Sequence, residues 1–288
     1  MKALNRIICF FIALTLFTAH AHAQSDPSIS AKSCILIEEL TGYVLYEKNP
    51  DVRMPMASTT KLFTALMIRE CCDLDEVVTV SHTSASTEGS SAYLKAGERL
   101  TVEQLLYALL LSSGNDAAEA LAEYATEGGR AGFIEYMNRR AVELGLINTH
   151  FTNPSGLPDD NHYTTARELA QIGRLAKQDP IISRMASSEN ITFTTVDSIT
   201  HSYTNHNSLL RMYTHATGLK TGYTKSAGRC LVSSANKDGI GLICVTLSAP
   251  NDWTDHINLF EYGFSRITLT TLAAPHDITV PVSLGGGA

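Results

Sequence analysis

The chain has 288 residues, 44% of them apolar, and a formal net charge of -7. That acidic balance argues against nucleic acid as a partner and gives no electrostatic help on an anionic membrane surface. The length suffices for one sizeable domain, or one domain with a small appendage.

The chain opens with Met1-Lys2-Ala3-Leu4-Asn5-Arg6, an apolar run from Ile7 to Phe17, and then Ala21-His22-Ala23. A basic start, a short apolar stretch and small residues two apart describe a secretory leader, cleaved after Ala23. The protein is therefore expected to be exported. Loss of Lys2 and Arg6 takes the net charge from -7 to -9. Cys9 sits inside the apolar run, which argues against a lipid-anchored cysteine. Five cysteines remain: Cys34, Cys71, Cys72, Cys230 and Cys244. Neither they nor the ten histidines show metal-ligand spacing, so no metal is expected. Cys230 and Cys244 are placed to face each other across a hairpin turning at 236–239, either as a disulfide or as a buried thiol pair.

Cys34–Glu38 and Tyr43–Tyr46 flank a Thr41-Gly42 turn and predict a hairpin. After a polar loop, Leu62–Ile68 predicts a buried helix, with Ser58 near its start where a serine commonly caps. Thr101 and Gln104 form a capping box ahead of a helix at 105–111. Ser112–Asn115 interrupts that helix, and a second resumes at Ala117–Ala125, with Asp116 as its expected cap. Phe133–Leu144 is amphipathic and Gly145 ends it. Asn153-Pro154-Ser155-Gly156-Leu157-Pro158 must be a loop. Thr165 and Glu168 form another capping box, for a helix reaching about Lys177. Leu219–Thr224, Arg229–Ala235 and Gly241–Leu247 predict successive antiparallel strands, and Asp255–Phe264 a closing helix. Strands at both ends and helices between predict an α+β fold. Its antiparallel β-sheet is flanked by helices, with a mostly helical subdomain and the first and last strands adjacent. Beyond it, Ile278–Leu284 is β-like.

Three short motifs carry the chemistry: Ser58-Thr59-Thr60-Lys61, Ser113-Gly114-Asn115 and Lys220-Thr221-Gly222. A serine hydroxyl is a weak nucleophile and needs a base within reach. Residues three apart share a helix face, so Lys61 lies beside Ser58. Lysine acts as a base only when neutral, a state favoured by burial and by a neighbouring cation such as Lys220. A helix start adds backbone N–H groups for a developing oxyanion. Singly the motifs are weak: Ser-x-x-Lys recurs at 234–237, and Ser-x-Asn at 188–190 and 234–236. Lys-Thr-Gly occurs once, and the ordered set in its helix, turn and strand contexts is specific. Thr59 and Thr60 read as spacers, Ser112 as a helix-end residue, and His201, His206 and His215 as solvated loop histidines.

On these motifs, and on Asn153–Leu157 and Gly218–Thr224, the sequence resembles the D-alanyl-D-alanine carboxypeptidases among the low-molecular-mass penicillin-binding proteins. The resemblance runs from Ile35 to Phe264. Ala249–His256 looks like the versions in spore-forming bacteria. The resemblance implies a β-lactamase/transpeptidase-like fold and a peptidoglycan stem peptide as substrate. Ser58 would attack the carbonyl between two terminal D-alanines and Lys61 would take its proton. Ser113 and Lys220 would pass a proton to the leaving D-alanine, and Asn115 would orient the substrate amide. Lys220 and Thr221 would hold the terminal carboxylate, with Gly222 completing the motif. The backbone N–H groups of Ser58 and Tyr223 would form an oxyanion hole. Penicillins would trap the same serine, and no diffusible cofactor is implied. The chain departs from the family at Thr217-Gly218, where Asp-Gly is common. A second departure is an arginine missing after the sheet hairpin, near Asp252. On the resemblance, 24–266 form the peptidase domain. Residues 267–288 begin a β-rich domain that stops short, leaving out a region that in relatives leads to peripheral membrane association. The rivals are a serine β-lactamase, whose class A Glu-x-x-Leu-Asn motif is missing between the second and third motifs, and a catalytically silent wall-binding or antibiotic-sensing protein.

Overall fold

The structure, a computed structural model, describes residues 26–268. The leader and the β-like segment at 278–284 lie outside the described residues. Strands β1 (Ser33–Glu38) and β2 (Val44–Lys48) form the first hairpin. The Glu38 carboxylate closes its turn, accepting from the N–H groups of Leu40 and Thr41 and from the Thr41 hydroxyl. A 3-10 turn (Ala57–Thr59) runs directly into α1 (Thr60–Cys71). The helical side follows as β3 (Val77–Thr79), α2 (His82–Ala85), β4 (Arg99–Thr101), α3 (Val102–Leu110), α4 (Asn115–Tyr124) and α5 (Gly129–Glu143). Helices α6 (Ala166–Gln178) and α7 (Pro180–Ser187), the hairpin of β5 (Asn190–Thr194) and β6 (Thr200–Thr204), and α8 (Leu209–Met212) lead back to the sheet. There β7 (Ala216–Thr224), β8 (Gly228–Lys237) and β9 (Ile240–Leu247) run antiparallel before α9 (Asp252–Phe264).

The main sheet has the order β2-β1-β9-β8-β7, so the first and last strands meet as expected. Its inner strands β1 and β9 read as nearly unbroken apolar runs because both of their faces are covered. Ile35, Ile37, Val232 and Val245 pack into the large core beneath α1, α3 and α6. Leu36, Leu242 and Cys244 pack on the other face against Leu259 and Phe260 of α9. Burying each of those two α9 side chains stabilises by about 2–3 kcal/mol.

The cysteine pairing read from the sequence is corrected here. Strands β8 and β9 run on to a two-residue turn at 238–239, so Cys244 pairs with Ser233 rather than with Cys230. Cross-strand partners share a face, and Cys230 lies three positions from Ser233, on the opposite face. Both are buried free thiols in different cores.

The Thr101–Gln104 capping box is complete, with each side chain accepting from the other residue's N–H. At α6 only half the box forms: Thr165 Oγ1 accepts from Glu168 N–H. The Glu168 carboxylate instead takes the Asn148 N–H and the Thr149 hydroxyl, tying the α5–α6 connection down.

His256 of α9 is fully buried, with Nδ1 against the Ser233 hydroxyl and Nε2 2.9 Å from Thr246 Oγ1. It bolts α9 to β8 and β9, and burial pushes its pKa down to about 3. His162, buried beneath α1, is pushed down to about 4, again chiefly by burial. Both folded values lie below the unfolded one, so the unfolded chain binds more protons as pH falls through 6.5. Each neutral ring therefore contributes stability that is complete above that value and is lost toward the folded pKa. By pH 5 the loss is about 2 kcal/mol per histidine. Urea unfolding at pH 7 and pH 5 measures it: His256→Gln should lose clearly less stability between the two than wild type. An identical loss would reject the assignment.

Candidate active site

Ser58 sits in the 3-10 turn behind Ala57, whose φ of +48° places a non-glycine residue in the left-handed region. The alternative use of Ser58, as a helix cap, is not taken up, because neither the turn nor α1 has a side-chain cap. Its hydroxyl instead faces Lys61, whose Nζ lies 2.9 Å from Ser58 Oγ, 2.7 Å from Asn115 Oδ1 and 2.6 Å from the Ser155 carbonyl. Lys61 is wholly buried. Burial, and then the charge of Lys220, hold its pKa well below the ordinary lysine value, against the opposing pull of Asp116 and Glu119.

The three partners decide what that amine can do. Asn115 Oδ1 and the Ser155 carbonyl can only accept. A neutral amine has two N–H bonds and one lone pair, so the two acceptors take the hydrogens and the lone pair is left for the Ser58 O–H. The Asn115 amide is oriented by Nδ2 donating to the Glu88 carbonyl at 2.6 Å. Asn115 thus holds Lys61 directly, a contact its motif did not disclose.

Ser155 is positioned by the loop that the turn formers predicted. Asn153 Oδ1 accepts from the N–H groups of Ser155, Gly156 and Leu157, coiling the loop tightly. Gly156, at φ +87°, presses on the serine turn: a Cβ there would lie 2.0 Å from the Ala57 carbonyl oxygen. Thr60 is more than a spacer. Its hydroxyl donates to the Ala57 carbonyl and lies 2.8 Å from His162 Nε2. His162 Nδ1 accepts from the Thr152 N–H, so the ring carries its proton on Nε2 and donates to Thr60.

The second motif is the α3–α4 junction. Ser112 closes α3 through a bond to the Ala108 carbonyl. Ser113 follows at φ +60° and is nearly buried. Asp116 does not cap α4. It accepts from the Ala92 and Leu94 N–H groups and the Ser91 hydroxyl, holding the 91–94 segment against the junction.

The third motif lies on β7, one of the two edge strands of the sheet. Side chains alternate along a strand. Gly222 faces the serine turn so closely that a Cβ would meet Ser58 N at 2.9 Å, and Lys220 is on the same face. Lys220 Nζ donates to the Thr221 carbonyl, and burial pushes its pKa down to about 7. Thr221 and Tyr223 turn the other way.

Ser58, Ser90, Ser113, His206, Thr221, Gly222 and Tyr223 line one cleft of about 290 Å³ with Arg229, Asp252 and Trp253. Lys61, Asn115 and Lys220 stand behind it, buried. Sequence reading missed Arg229 and the backbone carbonyl of Ser155; a carbonyl leaves no side-chain signal. Two histidines are also corrected. His201 is paired with Glu98 at 2.6 Å rather than solvated. His206 lines the cleft, half-buried, with its pKa lowered by burial and by Lys220.

The family profile described as D-alanyl-D-alanine carboxypeptidase matches residues 20–251. D-alanyl-D-alanine carboxypeptidase DacF of Bacillus subtilis is 40% identical over 181 residues, 59% of this chain and 46% of that protein. The DacA carboxypeptidase of Escherichia coli is 35% identical over 198 residues, 62% of this chain and 49% of that one. The chain thus spans about half the length of the curated relatives it matches. A Streptomyces DD-transpeptidase crystal structure superposes with a TM-score of 0.78 at 34% identity, covering 83% of this chain and 98% of that one. A penicillin-binding protein homolog from Mycobacterium tuberculosis gives a TM-score of 0.79 at 31% identity, covering 85% and 95%. With its three motifs gathered around one buried lysine on the fold those structures share, the chain belongs to the D-alanyl-D-alanine carboxypeptidase family.

Proposed function

We propose that the protein is a serine-type D-Ala-D-Ala carboxypeptidase that trims peptidoglycan stem peptides outside the cytoplasm, exported by its N-terminal leader. The observation that carries this reading is the lone pair of Lys61, left for Ser58 by two neighbours that can only accept. Lys61 takes the Ser58 proton as Oγ bonds to the carbonyl carbon between the two D-alanines. The N–H groups of Ser58 and Tyr223 receive the oxyanion. Ser58 N–H lies in the first turn of its helix, where amides lack intrahelical partners, and β7 is an edge strand. The C–N bond breaks, and the leaving amine gains its proton by way of Ser113 and Lys220. Water then attacks the ester, giving up a proton to Lys61, and Ser58 is released.

Penicillins acylate Ser58 by the same attack and leave slowly. The only carboxylate lining the cleft among the described residues is Asp252, which is tied to Arg229. Among the described residues no other carboxylate lines the cleft to activate the deacylating water, which disfavours a class A β-lactamase.

Intact mass after incubation with penicillin, on wild type and Ser58→Ala, tests the proposal together with D-alanine release from a peptide ending in D-Ala-D-Ala. A lasting adduct on wild type alone, with D-alanine released, is expected. Penicillin left intact without an adduct would point to a silent homologue. Penicillin consumed without an adduct would point to a β-lactamase.

A further inference from the structure

Arg229 is the first arginine of β8, opposite Tyr223 in the β7–β8 register. Cross-strand partners share a face, and residues two apart on a strand share it too. Arg229, Tyr223 and Thr221 therefore project together, and all three line the cleft that holds Ser58. The guanidinium is held in two ways. Its Nε donates to Asp252 Oδ1 at 2.8 Å, and its Cζ lies over the Trp253 ring, 5.3 Å from the ring centre. Asp252 is almost fully buried, whereas the Arg229 side chain keeps 41% of its surface exposed. Among the described residues Arg229 donates through Nε alone. The pair of terminal Nη groups, the edge of a guanidinium that fits a carboxylate through two parallel bonds, is unspent and borders the cleft.

The charges around the cleft call for such a group. Lys220 is buried, and burial pushes its pKa down to about 7. Lys61 is held toward its neutral form. An arginine stays charged throughout the working range. Asp252 and Trp253, which follow the sheet hairpin in the chain, are the residues that hold Arg229 in place.

We propose that Arg229, oriented by Asp252 and lying over the Trp253 ring, is the specificity residue that binds the ligand carboxylate at the Thr221 end of the cleft, through its free Nη edge. This assignment rests on the acyl-serine reading above. The carboxylate is that of the terminal D-alanine in a stem peptide, and that of the thiazolidine ring in a penicillin. Arg229 takes no proton and acts by positioning the ligand; Asp252 acts through Arg229.

The test compares acylation of Ser58 by benzylpenicillin with acylation by its methyl ester, which lacks the charge, on wild type, Arg229→Gln and Asp252→Asn. Wild type should prefer the free acid. Arg229→Gln should slow the acid by about 10–100-fold and leave the ester rate nearly unchanged, so the preference collapses. Asp252→Asn should reduce the preference in part. Equal losses for acid and ester would make Arg229 a structural residue only, and no loss would make it a bystander; either overturns the assignment while leaving the acyl-serine reading intact. Failure of both ligands to label wild type would overturn that reading, and this assignment with it.

Discussion

Replacing Lys61 by methionine will slow acylation of Ser58 by penicillin about 10²–10⁴-fold, the range expected when a positioned general base is removed. Stopped-flow or timed intact-mass measurement gives the rate directly. The loss has one cause: methionine fills the volume, but its thioether is at most a weak acceptor and cannot take the proton of the Ser58 hydroxyl. It also strands Asn115 Oδ1 and the Ser155 carbonyl, which Lys61 now satisfies at 2.7 and 2.6 Å. Unpaired buried acceptors cost about 1–3 kcal/mol each, so a fall in melting temperature should accompany the fall in rate. The pH profile separates the two effects. Because burial and Lys220 lower the folded pKa of Lys61, the base form persists below the ordinary lysine range. Wild-type acylation should fall as pH drops through that lowered value, and a residual rate in Lys61→Met should lack this limb. A wild-type limb near the unperturbed value of 10.5 would contradict a neutral Lys61.

The second large effect is at Gly156. A Cβ there would sit 2.0 Å from the Ala57 carbonyl oxygen and 2.9 Å from Ser58 N, at a φ of +87°. Backbone atoms on both sides must move, since no flexible side chain stands in the way. Gly156→Ala should therefore cost roughly 3–5 kcal/mol, from left-handed strain plus overpacking. That corresponds to a drop of about 10 °C in melting temperature for a domain of this size. Acylation should fall on the order of 100-fold, because displacing Ser58 by a fraction of an ångström misaligns it with Lys61. Gly97→Ala is the control. It shares a positive φ of +84° but has nothing within 4 Å of the added Cβ. It should lose about 1 kcal/mol and acylate normally. Equal damage from both substitutions would show that backbone strain alone, and not the press against the serine turn, sets the Gly156 requirement.

The stretch from Asn251 to His256 shows how several jobs fall to consecutive residues. Asp252 and Trp253 address the cleft through Arg229. Asp255 accepts from the N–H groups of Ser30 and Ala31 and from the Ser30 hydroxyl, securing the chain ahead of β1. His256 fastens α9 to the sheet. A helix advances 100° per residue, so neighbours necessarily point to different partners. The segment is therefore a joint between the site and the α9 layer.

Local patterning determined much of this protein without help from the fold. The Glu38–Gly42 turn, the Thr101–Gln104 box, the apolar runs of β8 and β9 and the helix after Thr165 each carry their own stop or start chemistry within a few residues. So did the Ser58–Lys61 neighbourhood, because three residues along a helix is a fixed short distance. What tertiary structure decided were relations across the chain. The free lone pair of Lys61 depends on a carbonyl 94 residues away and an amide 54 residues away. The placing of Arg229 depends on α9 returning across β8. The separation of Cys230 from Cys244 depends on a turn two residues long, which sets the register of every pair in that hairpin. Short β5 and β6 and the single-turn helices α2 and α8 were invisible for the same reason: too short to show a period, they are ordered by what they pack against.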